Sequence, residues 1–203
     1  MVSGLDLLIV FATSFGFNLI PFAGPSNLFI ASTAALSLGA TDPTILVAIG
    51  VLIALGGSFA KGIHYMVTFF VSKHLSQKRQ ERLNTDASKV KKWAFLLLFA
   101  AAASPIPDEP IVIPLGLMKY NPAKFFTAFF LGKLIITIAG AFIGAWTKIT
   151  FSGWLSPEIM IILSITLTVA VTVLLLKVDL GKVFERIIER FRKKQEAHIL
   201  KEN

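Results

Sequence analysis

Ser104-Pro105-Ile106-Pro107-Asp108-Glu109-Pro110-Ile111-Val112-Ile113-Pro114-Leu115-Gly116 lies between two strongly apolar segments and holds four prolines and two adjacent carboxylates. Each proline removes a backbone donor and clashes with the preceding turn, so this density predicts a break rather than a regular helix. The flanks are too apolar for a water-exposed loop. A broken backbone at membrane depth is tolerated only where protein or a wet cavity satisfies its freed polar groups. The stretch therefore reads as the tip of a re-entrant hairpin that carries charge into a membrane. The plainer alternative is a short loop between two spans that happens to hold Asp108 and Glu109.

The composition requires the membrane. Of 203 residues, 55% are hydrophobic and only 16% charged, with mean hydropathy +0.73, whereas a soluble domain carries about 25% charged residues. Several apolar runs exceed the ~18 residues that mark a span. Cysteine is absent, which excludes disulfides and cysteine-liganded metal sites. His64, His74 and His198 are scattered and form no metal set. There is no Walker-type loop and no nucleophile elbow. No enzyme reading follows, and no cofactor is expected. The first apolar run lacks the basic flank of a signal peptide and is read as mature structure.

Residues 5–20 form an apolar leg of sixteen residues, reaching ~24 Å against a hydrocarbon core of ~30 Å. It stops at Pro21-Phe22-Ala23-Gly24-Pro25-Ser26-Asn27, where Ser26 or Asn27 can cap a second leg from Leu28 to about Ala40. Two short legs around a break predict a first re-entrant hairpin, its tip at Pro21, Gly24, Pro25, Ser26 and Asn27. Asp42 caps the next helix, with Pro43 in its first turn. That helix spans to about Val71 and carries Gly50, Gly56, Gly57 and Gly62, which allow another helix to approach closely. Trp93 to Ala103 leads into the second tip, at Pro105, Pro107 and Pro110, and Ile111 to Met118 returns from it. Asn121-Pro122 starts a span over 125–146. A plain apolar span follows over 159–176. The amphipathic tail places Val183, Ile187, Ile188 and Phe191 among Arg and Lys, as for a helix on an anionic membrane surface or a solvated helix.

The basic residues set the topology. None precedes Lys61; residues 72–92 hold seven Lys/Arg against two acidic residues, and the turn at 119–124 and the tail hold nearly all the rest. The positive-inside rule puts these three segments in the cytoplasm. The count closes only if both broken segments are hairpins, which leaves the N-terminus outside. The same order of hairpin, polar-Pro helix start and Gly-rich span occurs twice. Ile20-Pro21-x-x-x-Pro25 resembles Ile106-Pro107-x-x-Pro110, Asp42-Pro43 resembles Asn121-Pro122, and Gly50 and Gly57 resemble Gly132 and Gly140. A hairpin plus one crossing inverts the second copy, and inverted repeats with matching breaks mark a site near the midplane. The expected fold is an all-α polytopic membrane protein: an inverted repeat of re-entrant hairpin plus transmembrane helix, with an extra C-terminal transmembrane helix and amphipathic tail. Residues 1–180 form one transmembrane domain, with repeats at about 5–71 and 93–147, and 181–203 form the basic cytoplasmic tail.

The stretch from Asn18-Leu-Ile-Pro-Phe-Ala-Gly-Pro-Ser-Asn27 to Ser32 is similar to the first proline/glycine hairpin of the DedA family, also called the VTT or SNARE-associated Golgi protein superfamily. Ser104-Pro-Ile-Pro-Asp-Glu-Pro110, with Pro114-Leu-Gly-Leu-Met-Lys-Tyr-Asn-Pro-Ala-Lys-Phe-Phe126, resembles its second. The resemblance covers about residues 15–150. It implies two facing re-entrant hairpins and movement of phospholipid or polyprenyl-phosphate-type lipids by a flippase or scramblase, often proton-linked. Bacterial members usually place an acidic residue after the first Pro-Gly, where Ser26 and Asn27 stand here. They carry arginines in the second hairpin, where Asp108 and Glu109 stand, so phosphate-binding arginines do not carry over.

Asp108, Glu109, Lys61, Lys133 and His64 are the ionisable residues at or near membrane depth, where each charge costs ~2.5–3.5 kcal/mol on insertion scales. They are the candidates for transport and proton coupling. On one reading Lys61 or Lys133 meets an anionic head group while a carboxylate carries a proton. On the other, a Lys–carboxylate pair only locks hairpin to span, and Lys133 can instead snorkel to the interface. The partners implied are membrane lipids and protons or other ions, with a homo-oligomer left open; the basic stretches flank the membrane, which argues against nucleic acid. An ion-coupled exporter of small solutes and a non-transporting scaffold are the alternatives. In a cell membrane, single substitutions Ser3→Cys and Ser152→Cys should label with an impermeant thiol reagent from outside, while Ser76→Cys and Glu202→Cys stay protected. Outside labelling of Ser76→Cys in intact cells would sink this orientation.

Overall fold

The computed structural model describes residues 2–22, 24–74, 93–105 and 107–151, with Ser156 and Ile159 besides. These belong to the first of two units, 1–168 and 169–203. The basic segment 75–92, the expected span 159–176 apart from Ile159, and the tail 181–203 lie outside the described residues. Among the latter the regular structure is helical: α1 (Gly4–Leu19), α2 (Asn27–Ser37), α3 (Pro43–Val71, prolonged by a 3-10 turn at Ser72–His74), α4 (Ala94–Ala102), α5 (Glu109–Leu117) and α6 (Pro122–Phe151).

Local chemistry sets the ends. Ser3 and Asp6 form a capping box at α1, the Ser3 hydroxyl accepting from the Asp6 amide and the Asp6 carboxylate from the Ser3 amide. Ser26 caps α2 by accepting from the Phe29 amide, and Asp42 caps α3 by accepting from Thr44 and Ile45. The ends of α2 and α5 are alike. Gly39, with φ +63°, follows α2, and the Ala40 amide donates back to the Ala35 carbonyl. Lys119, with φ +50°, follows α5, and the Tyr120 amide donates to the Leu115 carbonyl. Both satisfy the last carbonyls of the helix through a left-handed residue. A polar-Pro start comes next each time, with Asn121 accepting from the Lys124 amide. The prolines depart from expectation in one respect. Pro110 lies in the first turn of α5 and Pro114 inside it. A nine-residue helix loses one ladder bond to Pro114, and Pro110 falls where the amide is unpaired anyway.

The packing is reciprocal. α1 lies on α3 as α4 lies on α6; α2 lies on α6 as α5 lies on α3; and α3 and α6 lie on each other. Gly56 admits α1: a Cβ there would stand 2.7 Å from the Phe11 carbonyl oxygen. Gly132 admits α4 in the same way, a Cβ meeting Ala102 at 2.7 Å. Gly56, not Gly50 or Gly57, thus matches Gly132 in role. Gly62 faces open space, so the expected close approach does not occur there.

α3 and α6, of 29 and 30 residues, are long and apolar enough to cross a membrane. Large apolar side chains, among them Leu8, Val67, Ile135, Trp146 and Ile149, cover the outside. Inside, two apolar clusters form. One joins Leu46, Ile49 and Ile53 of α3 to Ala141 and Ala145 of α6. The other joins Tyr65 of α3 to Phe125 and Phe129 of α6. The order along α3 is reversed along α6, so the two run antiparallel. Between the clusters on both helices lie buried Ser58, Lys61, Lys133 and Thr137.

The two left-handed caps yield a paired expectation. Lys119→Gly removes ~1–2 kcal/mol of left-handed strain and adds ~0.5–1 kcal/mol of unfolded-state entropy, so it should stabilise by about 0.5–1 kcal/mol. Gly39→Ala should destabilise by a similar amount. Thermal unfolding in detergent checks both, and opposite signs are the expected result.

Candidate functional site

The polar layer is assembled from two spans and two breaks. Ser58 and Lys61 come from α3, Lys133 and Thr137 from α6, Asn18 and Asn27 from the flanks of the first break, and Asp108 and Glu109 from the start of α5. Helical rise puts Lys61 about 15 Å from the Val71 end of α3 and Lys133 about 16 Å from the Pro122 end of α6. The two ammonium groups therefore enter at one depth.

Each lysine has a carboxylate. Lys61 Nζ donates to Glu109 Oε1, and Lys133 Nζ lies 2.8 Å from Asp108 Oδ2. All four residues are 3–4% exposed. Of the two alternatives for Lys133, pairing and snorkelling, the structure has the pair. Its ammonium points inward to Asp108 and also stands 5.1 Å from the centroid of the Phe129 ring, where the π face attracts a cation. A lone buried ion is costly, and close opposite charge with added hydrogen bonds offsets that cost.

The two breaks meet at Glu109. Its Oε1 also accepts from the Phe22 amide at 3.2 Å, and Phe22 sits at φ +61° in the first break. Phe22, rather than a proline, makes this contact. Pro21, Pro105 and Pro110 are exposed, while Gly24, Pro25 and Pro107 are half-buried; they shape the breaks without entering the polar layer. His64 does not join the charges. Its Nε2–H donates to the Leu19 carbonyl at 3.0 Å, which satisfies a carbonyl at the α1 terminus.

Corresponding positions after the two breaks differ in charge. Ser26 and Asn27 precede and open α2 where Asp108 and Glu109 precede and open α5. Asn27 exchanges two hydrogen bonds with Asn18, at 2.8 and 3.1 Å, so the first break is closed by neutral amides. Asp108 makes no side-chain cap bond to α5. Its Oδ1 and the Ser58 hydroxyl are buried without a hydrogen-bond partner among the described residues.

Sequence reasoning named the four charges but passed over Asn18, Phe22, Ser58 and Thr137. Asn18 was detectable as an amide inside an apolar leg, nine residues before Asn27. Ser58 follows Gly56 and Gly57, and Thr137 lies one turn after Lys133, where it bridges to the Gly50 carbonyl at 2.8 Å. A hydroxyl in an apolar helix is too common a feature to single either out.

The paired charges predict a strong coupling. Glu109→Gln leaves Lys61 buried and unmatched, which costs ~3–5 kcal/mol. Lys61→Met combined with Glu109→Gln should recover most of that loss. A double-mutant cycle by thermal or denaturant unfolding in detergent measures it, and additive losses would show that the pair is not coupled.

The VTT domain matches residues 20–146 of the chain. No curated protein and no solved structure matches it. The matched span contains both breaks, α2 to α5, all four buried charges and most of α6. The chain belongs to the VTT domain family, the DedA/SNARE-associated group of membrane proteins.

Proposed function

We propose that this protein moves lipids across a bilayer, as a transporter or scramblase, through the polar layer where its two breaks meet. The observation that carries the reading is the pair of buried Lys–carboxylate bridges at the contact between those breaks. A lipid head group crosses the hydrocarbon only along a path that replaces its hydration, while its tails stay in the apolar surroundings. A layer of ammonium, carboxylate, amide and hydroxyl groups supplies that replacement. A scaffold has no use for four ions at this depth, each costly to insert.

In this reading α1–α2 and α4–α5 are re-entrant hairpins, and α3 and α6 are crossings of opposite direction. The reciprocal packing, the matching caps after α2 and α5, and the antiparallel run of α3 and α6 support an inverted repeat. The multi-pass topology, with the N-terminus outside, follows from it and from the distribution of basic residues. The bridged state holds hairpin two to both spans, so lipid passage requires the bridges to exchange partners. Proton linkage enters if a carboxylate takes a proton while its lysine is engaged by a head group.

The test is reconstitution into liposomes with fluorescent phospholipid and polyprenyl-phosphate reporters, with and without a pH gradient. Wild-type protein should transfer at least one class well above empty liposomes. The folded Lys61→Met/Glu109→Gln protein should do so at least tenfold more slowly. Gradient dependence in the wild type that vanishes in the double variant would assign Glu109 a proton. Folded wild-type protein that moves no lipid would refute the proposal.

A further inference from the structure

We infer that Glu109 latches the first break in a strained conformation through the Phe22 amide, so that whatever draws this carboxylate aside also releases that break. The latch is a property of the fold, and a protein that moved no lipid would still show it.

The first observation is the backbone at Phe22. Its φ of +61° lies in the left-handed region, which a bulky L-residue occupies only at a cost. Such a conformation persists where the surroundings impose it. Packing of the ring does not, since Phe22 is 51% exposed. Glycine would adopt this φ without strain, and a glycine stands two residues on. There it serves a close approach instead: a Cβ at Gly24 would stand 2.6 Å from the Phe17 carbonyl oxygen.

The second observation is where the amide goes. On one side of Phe22, the Ile20 amide donates to the Phe17 carbonyl of α1, and His64 holds the Leu19 carbonyl. On the other, the Ser26 hydroxyl accepts from the Phe29 amide of α2. Phe22 itself reaches across to α5, its amide donating at 3.2 Å to Glu109 Oε1. That same oxygen accepts from Lys61 of α3. A hydrogen bond to a charged acceptor is about twice as strong as a neutral one, so the carboxylate can hold the amide against the strain. Because both bonds end on Oε1, they are lost together when the carboxylate turns away. The state of the Lys61–Glu109 pair is thereby passed to a break that lies 87 residues earlier in the chain.

Hydrogen exchange at the Phe22 amide, on the full chain in detergent, tests this. Pro21-Phe22 is the one Pro-Phe step in the sequence, so carbonyl-labelled proline paired with amide-labelled phenylalanine picks out a single NMR signal. The amides of Tyr65 and Tyr120, the chain's two tyrosines, report on the rest of the fold. Lys61→Met/Glu109→Leu removes the carboxylate without leaving an unmatched lysine. It should speed exchange at Phe22 roughly tenfold or more, with little change at the tyrosines. Lys61→Met/Glu109→Gln keeps a neutral acceptor and should fall between wild type and the leucine variant, in whose place it decides if that variant does not fold. Spin labels on Ile20→Cys and Val47→Cys, both at exposed positions in a chain without cysteine, measure where the break sits. A narrow distance distribution in the wild type should gain a displaced population in the leucine variant. Adding Phe22→Gly relieves the strain and should cut that population about twofold or more. Unchanged exchange at Phe22 overturns the latch. A rise shared equally by the tyrosines overturns it too, since the carboxylate would then support the whole fold. A displaced population indifferent to Phe22→Gly would show that strain is not what the carboxylate opposes, and overturns it as well.

Discussion

Four charges buried in one layer are the constraint on which this structure depends. A Lys or a carboxylate inside an apolar protein is tolerated only with a close partner of opposite sign. Each partner must therefore be delivered to within hydrogen-bond distance by a separate element. The lysines come from the interiors of α3 and α6, and the carboxylates from the N-terminus of α5. Because α5 is only nine residues long, its start reaches the middle of both long helices rather than their ends. The apolar clusters on either side of the layer shield it from water and fix the spacing of α3 and α6.

Short helices create a second problem, which the same layer resolves. Every break leaves unpaired amides and carbonyls at helix ends, and away from water these require partners. Leu19 gives its carbonyl to His64, Phe22 its amide to Glu109, and α2 has its first turn capped by Ser26. Hydroxyls tie the remaining elements together: Ser14 donates to the Ile53 carbonyl and Ser32 to the Gly140 carbonyl, each at 2.8 Å. The groups that neutralise charge and those that close the backbone are thus partly the same, Glu109 above all.

Much of this was legible in the sequence. The breaks were, because proline and glycine act locally. The first leg was expected at 5–20 and runs over Gly4–Leu19, and the span expected after the Asp42 cap to about Val71 runs over Pro43–Val71. The four buried charges were legible as well, since a Lys or Asp in an apolar run needs no partner in view to be conspicuous. The pairings were not. Lys61 and Glu109 lie 48 residues apart, and hydropathy fixes the depth of a charge but not its direction on the helix. Snorkelling and bridging therefore remained open for Lys133 until the fold placed it against Asp108. Glycine roles failed for the same reason. Gly56 and Gly62 look alike along the chain, yet one meets the α1 backbone and the other meets nothing. Pro110 was expected at the tip and lies instead in the first turn of α5, where a missing amide costs no ladder bond.

The two breaks are held to the charged layer with unequal strength, and the difference follows from chemistry. Displacing α5 from the spans would strip both carboxylates from both lysines, at ~3–5 kcal/mol for each unmatched buried pair. Displacing the first break alone would cost the Phe22–Glu109 and His64–Leu19 bonds and leave both ion pairs intact, whereas moving α1 and α2 with it would also break the Ser14–Ile53 and Ser32–Gly140 bonds. Bonds of that kind are worth ~0.5–1.5 kcal/mol when neutral and about 1.5–3 kcal/mol when one partner is charged. The Asn18–Asn27 exchange joins the two flanks of the first break and would travel with it. The first break is therefore held to the charged layer by weaker bonds than the second. Moving it would uncover Glu109 first, because Phe22 is the residue of that break bonded to it. The uncharged break thus touches the charged layer through one amide, while the charged break supplies the carboxylates that hold the layer in place.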